Sequence, residues 1–172
     1  VDFSPESEKF MALDSKKLLF QLQSEAEKWP LEALEQQYLN WKAKEYPVES
    51  EEYLNEKNAL YNIETMLELK HNSGNFFPEN IPPHYYQKLI DCINSYMDKY
   101  APGQEDFKDY IRILSLYKTF VAKLPLHPPE LQIPGGGKIY KKGKDYFCTA
   151  KQQHIHDEES MCRFCTAKMC EY

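Results

Sequence analysis

The chain has 172 residues, 42% of them hydrophobic and 14% aromatic, and a formal net charge of −6 at pH 7. That is enough apolar material for a packed core, which excludes wholesale disorder and suits one domain of ordinary size or one domain with a small appendage. The acidic balance argues against broad nucleic-acid binding, and no apolar run approaches the roughly 20 residues that span a bilayer.

Ser4-Pro5-Glu6 is a helix-start signal, and Phe10, Met11, Leu18, Leu19 and Leu22 follow as an apolar stripe. Pro30 interrupts it. Leu31, Leu34, Tyr38 and Trp41 recur at helical spacing until Tyr46-Pro47, where the residue before proline disfavours the helical region. Ser50-Glu51-Glu52 starts a third helix with Leu60, Ile63, Met66 and Leu67 on one face, and His71-Asn72-Ser73-Gly74-Asn75 stops it. Pro82-Pro83 opens a fourth, carrying Tyr86, Leu89, Ile90, Ile93 and Met97, and Pro102-Gly103 closes it. The last predicted helix runs from about Glu105 to Leu124. The aromatic stripe is read as core filling, the Glu/Lys faces as solvated surface, and Cys92 as a small buried hydrophobe. His71 and His84 sit at helix ends and are read as capping or surface groups.

Composition changes near residue 125. Residues 1–124 hold 14 Lys and Arg against 21 Asp and Glu, whereas residues 125–172 hold 7 against 6. Cys148, Cys162, Cys165 and Cys170 all lie in the second part, with four of the six glycines. The expected architecture is therefore an all-α bundle of about five helices over 1–124, with a turn-rich Cys/His module over 125–172 packed on it.

Within that module, β-prone pieces flank Lys142-Gly143 and predict a short hairpin. Gly135-Gly136-Gly137 is no phosphate loop, because no Gly-Lys-Ser/Thr follows; it reads as a tight turn. Lys138, Lys141, Lys142 and Lys144 form a small basic patch, read as a solvated hairpin in preference to an anion or nucleic-acid contact.

The cysteine spacing, Cys148-x13-Cys162-x2-Cys165-x4-Cys170, is the strongest signal. A Cys-x2-Cys pair on a turn presents two sulfurs to one ion, and Cys148 at the end of the hairpin supplies a third. The fourth ligand is open between Cys170, His127, His154 and His156. No basic stretch followed by an apolar run opens the sequence, so no secretory signal is read and a cytoplasmic setting is expected. In that setting crowded thiols are read as metal ligands rather than disulfides, with a thiol redox pair flanking Arg163, or no bound metal, as alternatives. Zinc is preferred, because Cys170 is close to the chain end and the spacing matches no common ferredoxin pattern; an iron–sulfur cluster is the alternative.

The run His127-Pro128, Ile133-Pro134-Gly135-Gly136, Tyr146-Phe147-Cys148 and Cys162-Arg163-Phe164-Cys165 resembles a family of archaeal proteins from methanogens, known only as a domain of unknown function. Its pattern is His-Pro, a Phe-Pro-Gly-Gly turn, Tyr-Cys-Pro, a Lys and a Gln, and Cys-x-Phe-Cys. Lys151 and Gln152 or Gln153 fall at the Lys and Gln positions. Pro129, Glu130, Ile133 and Thr149 depart from it. Only His127 among the four candidates falls on the pattern, which turns the fourth-ligand choice toward it. The resemblance implies an archaeal cytosolic protein and supplies no reaction. The metal set expected is His127, Cys148, Cys162 and Cys165. The expected role is a metal-stabilised interaction or regulatory protein with a protein partner, no membrane and no nucleic acid. An iron–sulfur or thiol redox protein or enzyme on the same cysteines is the alternative.

Overall fold

A computed structural model describes residues 12–48, 50–133 and 137–170. The start signal at Ser4-Pro5-Glu6, with Phe10 and Met11, and the turn residues Pro134, Gly135 and Gly136 lie outside the described residues. Among those described there are five α-helices: α1 (Ser15–Glu25), α2 (Leu31–Lys42), α3 (Glu51–His71), α4 (Pro83–Tyr100) and α5 (Glu105–Leu116). Their starts follow local capping chemistry. The Asp14 carboxylate accepts from the Lys17 amide at 2.8 Å, the Ser50 hydroxyl accepts from the Tyr53 amide at 3.1 Å, and Pro83 occupies the first turn of α4.

The core joins Leu18, Leu19 and Leu22 of α1, Ile63, Met66 and Leu69 of α3, Leu89 and Ile93 of α4, and Ile113 and Leu114 of α5. Helix α3 is central: α1, α2 and α5 all touch it, and Glu56, Tyr61 and Thr65 are buried beside the expected face. No helix among the described residues is long and apolar enough to cross a membrane.

Two expectations need correction. The last helix does not continue regularly to Leu124: after Leu116 it widens into a π-helical turn, Tyr117–Val121, and Lys123 takes a φ of 55°. The chain is also not all-α. It is mostly helical with a small sheet of order β1-β2-β3-β4, formed by β1 (Gln132–Ile133), β2 (Gly137–Lys142), β3 (Asp145–Cys148) and β4 (Lys168–Met169). The predicted hairpin is β2–β3, closed by Gly143-Lys144 with Gly143 at φ 64°, the glycine position of a two-residue II′ turn. Strand β4 joins β3 in parallel, pairing Cys148 with Met169. The hairpin lysines 138, 141, 142 and 144 are exposed, as expected.

Candidate functional site

Pairing of β2 with β3 sets Ile139 opposite Cys148 and Tyr140 opposite Phe147. Side chains alternate across a strand, so Ile139 and Cys148 share one face while Tyr140 and Phe147 stack on the other, 5.6 Å apart. The first face looks toward the helices. There it closes a cavity of about 350 Å³ whose lining includes His127, Cys148, Cys162, Cys165, His154 and Lys118. All four residues of the expected metal set thus line one cavity. Among the remaining candidates, His154 lines it as well. Cys170 does not; its sulfur lies 3.4 Å from the hydroxyl of Tyr140, whose side chain belongs to the opposite sheet face. His156 is exposed and outside the lining.

Each donor is held by its own local device. Cys162 lies within a short 3-10 turn, Met161–Phe164, and Cys165 ends it, its amide donating to the Cys162 carbonyl at 3.1 Å. The Ser160 hydroxyl caps that turn, and buried Phe164 pins it to the helical core beside Tyr85, ring centroids 5.2 Å apart. The Leu126 amide donates to the Cys165 sulfur at 3.3 Å, and the amides of Ala150 and Lys151 donate to the Cys148 sulfur. Lys151 Nζ donates to the carbonyls of Cys165 and Ala167, 2.7 Å each, tying the chain after β3 to the Cys-x2-Cys turn. The segment carrying His127 is strapped to α3 by the Tyr61 hydroxyl, which donates to the Pro125 carbonyl at 2.6 Å.

Burial pushes the Cys148 thiol up, the two backbone amides oppose this, and negative charge on Cys165 or Cys162 raises it further. Cys148 thus lies near enough to the other two sulfurs for charge on them to reach it. His127 is exposed at the cavity edge, and the protein packed around it, then Lys118 and His154, push it down from the ordinary histidine value. Every described cysteine is free. Among the described residues no three His, Cys, Asp or Glu side chains converge closely enough, as they stand, to hold an ion.

One site residue escaped the sequence reading. Lys118, in the π-helical turn, is only 3% exposed and lines the same cavity. Its ammonium donates to Asn62 Oδ1 at 2.7 Å and to the Leu126 carbonyl at 3.2 Å, and lies 4.4 Å from the centroid of the Tyr61 ring. Burial pushes Lys118 down to about 7, with Cys165 acting in the opposite sense.

A family model described as "uncharacterized protein conserved in archaea" (DUF2115) matches residues 14–169, from the cap of α1 to the end of β4. The chain belongs to that family. Its similar relatives include a UPF0305 protein of Methanocaldococcus jannaschii, 35% identical over 127 residues, covering 73% of this chain and 77% of the relative. A UPF0305 protein of Methanothermobacter thermautotrophicus is 28% identical over 97 residues, covering 56% of this chain and 59% of the relative. One of Methanopyrus kandleri is 25% identical over 92 residues, covering 54% and 64%. These are methanogens, as the resemblance of the tail implies. No solved structure matches the chain.

Proposed function

We propose that this family member is a metal-binding interaction or regulatory protein, in which His127, Cys148, Cys162 and Cys165 hold one structural zinc ion. The observation that carries the reading is that these four side chains, from three separate stretches of chain, line one cavity with no disulfide between the cysteines. Amide donors at two of the sulfurs, and an imidazole whose protonation its surroundings disfavour, suit thiolate and nitrogen ligation. Zinc draws sulfur to about 2.3 Å and nitrogen to about 2.0 Å, so binding requires the four side chains to turn inward from the cavity wall. That closure ties the His127 segment, the β2–β3 hairpin and the Cys-x2-Cys turn together, and so couples metal content to stability of the tail. The stabilised tail presents its exposed lysine-bearing hairpin to a protein partner, in a cytoplasmic setting.

Elemental analysis of anaerobically purified protein tests this, paired with Cys162→Ser. The expected result is colourless protein with about one zinc per chain, and a variant that loses the metal and melts at a lower temperature. A brown protein containing iron and sulfide selects the iron–sulfur alternative. Wild type free of metal, or a variant with full metal content and an unchanged melting temperature, overturns the assignment.

A further inference from the structure

Lys118 poses a charge problem that its neighbours do not solve. It is buried, and no carboxylate pairs with it among the described residues. Its partners are an amide oxygen, a peptide carbonyl and an aromatic face. These satisfy hydrogen bonds and favour a cation, but none carries a negative charge. A buried ammonium left in that state is costly, so the fold gains if a negative charge comes close to it; Asp157 and Glu159 also line the cavity, but both are exposed, Glu159 pairs with Lys99, and neither pairs with Lys118.

The set of donors lining the cavity supplies one. Three thiolates and a neutral imidazole around a divalent ion sum to one net negative charge. We propose that Lys118 is the built-in counter-charge of this centre, matching the single negative charge of three thiolates and a neutral imidazole on a divalent ion rather than the zero sum of two thiolates and two imidazoles. The inference rests on the zinc reading above and deepens it by assigning a group that tunes the site without ligating. The connection passes through one residue: Leu126 donates its amide to the Cys165 sulfur at 3.3 Å and accepts at its carbonyl from Lys118 at 3.2 Å. Lys118 is thus a positioning residue as well as a charge, since it fixes the segment that ends in His127.

Charge and positioning are separable by experiment. Zinc affinity of the full chain is measured by competition with a chromophoric chelator, for wild type, Lys118→Met and Lys118→Gln. Lys118→Gln keeps a donor for Asn62 and Leu126 but no charge. Both variants are expected to bind zinc at least about tenfold more weakly than wild type, because each removes one positive charge from the cavity that holds a negatively charged centre. The same pair is repeated on Cys162→His, which keeps four donors but only two thiolates and makes the centre neutral. There the loss on removing Lys118 is expected to shrink below about threefold. Wild-type affinity in Lys118→Gln, or an equal loss in both backgrounds, overturns the counter-charge while leaving the metal site standing. Wild type that takes up no zinc overturns the site and this inference together.

Discussion

At the level of single residues the tail is anchored by buried polar groups as much as by sulfur. The Tyr61 hydroxyl is the donor for the Pro125 carbonyl, so Tyr61→Phe leaves that carbonyl without its partner. The expected cost is about 1–2 kcal/mol, read from the urea midpoint, with faster amide exchange in the segment before His127. Cys92, 7% exposed, behaves as the small hydrophobe its sequence context implies. Burial raises its thiol above the ordinary value of 9.0, partly offset by Arg163. The folded protein therefore keeps this proton to higher pH than the unfolded chain does, and the stability linked to it is lost as pH rises past 9. Between pH 8 and pH 10 wild type is expected to lose more stability than Cys92→Ala, as measured by urea unfolding at each pH. The cysteines of the site were legible in the sequence because clustered thiols are rare and their spacing restricts what they can do. Lys118 was not, because a lysine in an amphipathic helix reads as solvent-facing. Yet it falls four residues after Leu114 and seven after Ile111, on the apolar stripe, and a charge at a stripe position was the available signal.

Among the elements, those governed by local chemistry were readable and those governed by distant pairing were not. Ser50 and Pro82-Pro83 mark helix starts because capping and proline act within one turn. The hairpin was readable for the same reason, from Gly143. Any other residue there carries a Cβ into the left-handed region, although nothing lies within 4 Å to clash with it. Gly143→Ala is therefore expected to cost about 1 kcal/mol in thermal unfolding, while Lys144→Ala beside it stays within about 0.5 kcal/mol of wild type. Strand β4 is two exposed residues whose only reason to be extended is the neighbouring β3, so no alternation announces it. The π-helical turn was equally silent: Tyr117–Val121 contains neither glycine nor proline, and its apolar spacing continues that of α5.

Across the whole molecule, the cavity lies where the sheet-bearing tail meets the helices, and Phe164 is the apolar fastener of that junction. It is 3% exposed, belongs to the helical core and sits between the two cysteines of the turn. Phe164→Ala is expected to cost about 3–5 kcal/mol and to expose residues after 125 to limited proteolysis before the helices unfold. That early cleavage, absent in wild type, is the decisive readout. The wide π-helical turn follows Leu116, the last residue of α5, and is closed by the Ala122 amide donating to the Tyr117 carbonyl at 2.9 Å, five residues back. Losing one residue within 117–121 would move every later residue back one position along the winding, about 100° around the helix axis. The ammonium and the strap to α3 would then part company, so a register change of one amino acid separates a chain that can assemble this pocket from one that cannot.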